Sequence, residues 1–110
     1  MMIGEVVTVT VDRPIGSCHP EYPDMIYPIN YGYVKGIIAP DSEEQDAYVL
    51  GVDDPISKFC GRVVAIIHRL DDVENKLVVV PDGMKFTEND IIAKTYFQEK
   101  YFKIKIITQL

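Results

Sequence analysis

No apolar run in this chain approaches the ~18 residues that a membrane span requires. Its first residues, Met1-Met2-Ile3-Gly4-Glu5, show no basic stretch leading into an apolar one, as a secretory signal would. A cytoplasmic protein with no membrane partner is therefore expected. Basic residues are in short supply too: 11 Lys and Arg stand against 17 Asp and Glu, a net charge of −6. A nucleic-acid backbone demands basic patches, so nucleic acid is not an expected partner. Small anions stay open to the chain wherever metal ions or local Arg and Lys reverse the field. Cysteine is scarce, and Cys18 and Cys60 form no CxxC and no zinc-type spacing with His19 or His68. Free thiols and structural or exposed histidines are the resulting expectation. There is no internal repeat, low-complexity tract or linker, and 110 residues suffice for one core but not two, so residues 1–110 are read as a single domain.

What is present alternates like a β protein. Val7 to Val11 is an apolar and β-branched alternation that predicts a half-buried strand. Further strands are expected at Tyr48 to Val52, Val63 to Ile67, Leu77 to Val80 and Lys103 to Ile107, with Gly, Pro and Asp in every gap. Thr87 with Asp90 makes a capping box, and Ile92, Tyr96, Phe97 and Tyr101 fall at helical spacing beyond it. One helix over about 88–101 should pack that face on the sheet. Residues 14–28 carry Pro14, Gly16, Pro20, Pro23 and Pro28 and predict an ordered excursion. Taken alone, these patterns reach a mainly β (α+β) chain with one C-terminal helix.

The chemistry concentrates in two places. Tyr27-Pro28-Ile29-Asn30-Tyr31-Gly32-Tyr33 reads as a rigid aromatic turn, because Pro28 fixes its own φ and Gly32 permits a close or left-handed path. Asp41-Ser42-Glu43-Glu44-Gln45-Asp46 follows. Its carboxylates converge if the loop curls, and oxygen-only clusters suit hard cations such as Mg²⁺, Ca²⁺ or Mn²⁺. A second acidic run, Asp71-Asp72-Val73-Glu74-Asn75-Lys76, precedes an apolar strand. Arg13 stands just after the first strand, where its planar fork of donors can clamp a phosphate, and Lys76 can neutralise a further oxygen.

These residues carry a resemblance. Tyr27 to Tyr33 resembles the Tyr-Pro-x-Asn-Tyr-Gly-aromatic signature of the soluble family I inorganic pyrophosphatases, and Asp41 to Asp46 resembles their Asp-x-Asp-Pro-x-Asp metal motif. Val11-Asp12-Arg13 is similar to the Val-Asp-Arg that supplies a phosphate-binding arginine there, and Asp71 to Pro81 to the second acidic motif. All four stand in the family's order. The resemblance implies a small OB-like closed β-barrel that hydrolyses pyrophosphate with Mg²⁺, Mn²⁺ being an alternative. It implies Asp41, Glu43, Asp46, Asp71 and Glu74 as metal ligands, with Asp72 as the alternate in the second motif. Arg13, Tyr31 and Lys76 would be substrate-binding residues, and Asp46 and Tyr31 catalytic ones. A homo-oligomer is implied as well.

The chain departs from the family in three ways. Nothing ahead of Arg13 corresponds to the family's N-terminal lysine and glutamate, Glu43 replaces an aspartate, and the segment between Arg13 and Tyr27 is longer than usual. Phe97 to Phe102 resembles the aromatic helix near the family's C-terminus, and the resemblance leaves either Tyr101 or Lys100 as a partial substitute for the family's C-terminal Tyr-Lys pair. Two expectations follow: a slow or specialised hydrolase of pyrophosphate or another small phosphoanhydride, and, as the alternative, a catalytically silent relative that binds metal or phosphate.

Overall fold

The apolar alternation organises the described residues into six strands and one helix. The computed structural model describes residues 3–40 and 42–108. In order these are β1 (Val6–Arg13), β2 (Asn30–Ile38), β3 (Glu44–Val49), β4 (Lys58–Arg69), β5 (Asn75–Val80), α1 (Glu88–Glu99) and β6 (Ile104–Ile107). The sheet runs β1-β2-β3-β5-β4-β6, and an additional β1–β4 pairing closes the first five into a barrel. Closure leaves those strands without free edges. β3 and β5 are parallel; the other pairs are antiparallel. The expected closed OB-like barrel with one C-terminal helix is the observed architecture.

Period-2 alternation then sorts side chains into two cores. Val9, Val11, Ala47, Val49, Val63, Leu77 and Val79 fill the barrel interior. Tyr31, Tyr48, Ala65, Ile67, Val78 and Val80 point outward and are covered with Tyr27, Leu50 and Ile91 in a second core. β5 is buried on both sides, which is why Leu77 to Val80 reads as an unbroken apolar run.

Three expectations change. The aromatic segment is no turn: Tyr31, Gly32 and Tyr33 lie within β2 and pair with both β1 and β3. Gly32 is there for closeness, since a Cβ on it would stand 1.9 Å from the Thr10 carbonyl oxygen. β3 begins at Glu44, so the second half of the acidic run is strand rather than loop. The helix ends at Glu99 and buries Ile91, Thr95, Gln98 and Glu99; Ile92, Tyr96 and Tyr101 of the predicted face are exposed. Polar partners beneath the helix decide that rotation. Cys18 and Cys60 are free thiols, as expected. Among the described residues no helix is long and apolar enough to cross a membrane.

Candidate functional site

Register brings the site residues to one outer face. Ala47 pairs with Leu77 and Tyr48 with Val78; one step back, on the face that Tyr48 and Val78 share, lie Asp46 and Lys76. Tyr31 pairs with Tyr48 and joins them. Arg13 has the parity of Val9 and Val11, which point into the barrel, and would follow them inward. A register shift between Val11 and Arg13 sets Arg13 opposite Tyr31 instead. The extra residue of such a bulge re-aims the side chain that follows it.

The ammonium of Lys76 is buried at the centre. Its Nζ donates to Asp46 Oδ2 at 2.6 Å, to the Tyr31 hydroxyl at 2.9 Å and lies 3.0 Å from Glu74 Oε2. Burial would depress its pKa, but contact with Tyr31 and Asp46 outweighs that and holds it above the ordinary lysine value. Burial also pushes the Tyr31 phenol far up; Lys76 opposes the shift and Asp46 adds to it. Tyr31 therefore keeps its proton.

Glu74 leads to a second buried cation. Arg69 Nη1 donates to Glu74 Oε2 at 2.8 Å, while its Nε and Nη2 grip the two oxygens of Glu99 at 2.9 and 2.8 Å. The guanidinium stacks 3.7 Å from the centre of the Phe102 ring. From Glu99 the network turns back through the helix. The Tyr48 hydroxyl donates to Glu99 at 2.7 Å and accepts from Gln98 Nε2 at 2.6 Å. Gln98 Oε1 accepts from the Tyr27 hydroxyl, which in turn accepts from Arg13 Nη1, both at 2.9 Å. Every buried side-chain polar atom described has a partner, so the network holds Arg13 and Lys76 in fixed places.

Above this floor opens a cleft of about 1180 Å³ whose lining includes Arg13, Tyr31, Asp46, Arg69, Glu74 and Lys76. Of the residues anticipated from sequence, Arg13, Tyr31, Asp46, Glu74 and Lys76 are thus brought together. Glu43 lines a side recess of about 310 Å³ with Tyr33, Glu44, Asp46 and Glu74. Asp71 lines neither space; its exposed carboxylate faces the Lys103 backbone N–H at 3.3 Å. Asp72 caps the Val73 N–H and stands 3.8 Å from Arg69. Asp41 lies outside the described residues.

No family model matches the chain, and no curated protein matches it in sequence. Solved structures do. An inorganic pyrophosphatase from Helicobacter pylori superposes with a TM-score of 0.71 at 19% identity, over 99% of this chain and 88% of that one. One from Ehrlichia chaffeensis gives 0.70 at 19% identity, over 94% and 85%. One from Thermus thermophilus gives 0.62 at 19%, over 93% and 80%. The chain has the fold of bacterial inorganic pyrophosphatases.

On this pyrophosphatase fold three of the acids are already paired from within, by two cations. Among the described residues no group of three or more His, Cys, Asp or Glu side chains is placed to hold a metal ion. Asp46 and Glu74 share Lys76, and Glu74 and Glu99 share Arg69. A divalent cation at these carboxylates would compete with Lys76 and Arg69 for their charge, and the described donors by themselves do not make up a resident metal site. Arg69, Gln98 and Glu99 escaped the sequence reading. The one available signal was a charge closing the apolar strand Val63 to Ile67; the helix gave none, because its more apolar face drew the prediction.

Proposed function

We propose that the protein binds pyrophosphate, or another small phosphoanhydride, in this cleft and hydrolyses it, with Mg²⁺ or Mn²⁺ arriving as the counter-ion of the polyanion. The observation that carries this reading is the placing of Arg13 and the Tyr31–Asp46–Lys76 cluster, with Tyr31 and Lys76 buried and Asp46 partly exposed, on one cleft floor. The shared fold supports it. Among the described residues one of the five Arg13 N–H donors is engaged, by Tyr27, leaving its fork to take phosphate oxygens. Two of the three donors of Lys76 are engaged, by Asp46 and Tyr31, and Glu74 balances its charge from 3.0 Å, so it acts on the anion through charge and by holding Asp46 in place. Tyr31, kept protonated, supplies a hydroxyl. In hydrolysis water adds to one phosphorus, the bridging P–O bond breaks, and its electron pair leaves with the second phosphate. The proton released from water passes to Asp46, whose carboxylate is about one-third exposed and so within reach of solvent.

One observation favours a second reading, that of a silent phosphate-binding relative. Lys76 and Arg69 pair with Asp46, Glu74 and Glu99 without any added cation. A phosphate-release assay separates the two. Release from pyrophosphate that requires Mg²⁺, and whose KM rises at least tenfold in Arg13→Ala, supports the hydrolase. Binding of pyrophosphate with no release above background supports the silent relative. The same reading takes the protein to act in the cytoplasm, as a homo-oligomer.

A further inference from the structure

The cleft is larger than its floor requires. Its lining continues past Arg13 and Lys76 to His19, Tyr22 and Ile26, while pyrophosphate is small and has no apolar surface. Its outer wall also has the wrong chemistry for a bare anion. Glu21 and Asp24 line it with negative charge beside His19, Tyr22 and Ile26, and Tyr22 is 60% and Ile26 52% exposed. The rings there form a row. Tyr22 lies 5.0 Å from His19, His19 lies nearly parallel to Tyr27 at 6.4 Å, and Tyr27 lies 5.5 Å from Tyr31. His19 is held in that row because its Nδ1 accepts the Glu21 N–H at 3.0 Å. Tyr27 in turn is the partner of Arg13. The row therefore leads from the mouth of the cleft to the proposed phosphate site.

A ligand matching both ends carries a phosphoanhydride at one end and a flat aromatic group at the other. We infer that the substrate class is a nucleoside diphosphate or triphosphate, its phosphates on Arg13 beside Lys76 and its base stacked at Tyr22 and His19. This rests on the phosphoanhydride reading above and narrows it. Hydrolysis of the diphosphate adds water to the terminal phosphorus and breaks its bond to the bridging oxygen. The electron pair leaves with the nucleoside monophosphate, and the proton goes to Asp46.

The test compares two carbon-bridged probes that resist hydrolysis, α,β-methylene-ADP and methylenebisphosphonate, titrated against the full chain in Mg²⁺. Stacking on an aromatic side chain supports an advantage of roughly tenfold or more for the nucleotide probe. Tyr22→Ala should remove that advantage and leave the bisphosphonate affinity unchanged, while Arg13→Ala weakens both. Equal affinity of the two probes for the wild type, or an equal loss for both in Tyr22→Ala, overturns the inference. If the bisphosphonate alone binds, only the nucleotide assignment falls. If neither binds, the phosphoanhydride reading falls with it.

Discussion

Arg69 and Glu99 bury opposite charges 2.8 Å apart, with side chains only 5% and 2% exposed. Removing one partner leaves the other charged in a site that water barely reaches, which costs about 3–5 kcal/mol. Chemical denaturation of Arg69→Met should show a loss of that size, and Arg69→Met with Glu99→Leu should recover a large part of it. Lys76 makes a prediction in pH. Its folded pKa is raised above the reference 10.5, so its contribution is fully present below that value and is lost as pH rises through the folded one. Stability from this residue should stay flat from neutral to about pH 10 and decline above it, and the decline should be shallower in Lys76→Met. At this scale Arg13, Tyr31, Asp46, Glu74 and Lys76 were legible because their motifs keep a fixed order along the chain. Arg69 and Glu99 were not, since 30 residues separate them and only folding shows that each is the other's partner.

At the level of elements, β2 and α1 carry the lessons. β2 was hidden because Pro28, Asn30 and Gly32 are turn residues by local chemistry. Pairing on both edges overrides that preference, and the glycine serves the close crossing of β1. Gly32→Ala would drive a methyl into the Thr10 carbonyl, 1.9 Å away, and should cost about 3 kcal/mol or more, at or beyond the upper end for overpacking. α1 was legible in its start but not in its rotation. Thr87 and Asp90 form the reciprocal cap foreseen from the sequence, and Thr87→Ala should lower stability by about 1 kcal/mol. Its buried face follows Gln98 and Glu99, which join Tyr27, Tyr48 and Arg69 underneath. No apolar period announces a helix seated through polar contacts.

For the whole molecule, barrel closure was legible only through the motif resemblance, because nothing local in β1 and β4 states that they pair. Exposed Ile92 and Tyr96 on α1 and Tyr101 beyond it suit the proposed association of copies, since large exposed apolar side chains in proximity mark interaction sites. Sedimentation at micromolar concentration should show a species heavier than the 12.5 kDa chain, and a monomer alone would contradict that proposal. The central claim is that Asp46, held by Lys76, takes the proton from the attacking water. Phosphorus NMR of pyrophosphate with excess Mg²⁺ tests it most directly, comparing wild type with Asp46→Asn, whose amide weighs and fills nearly the same but cannot act as a base in water. Conversion to phosphate by the wild type, reduced at least a hundredfold in a folded Asp46→Asn as expected for lost general-base catalysis, is the predicted result. Equal rates in the two proteins, at or above background, would contradict it.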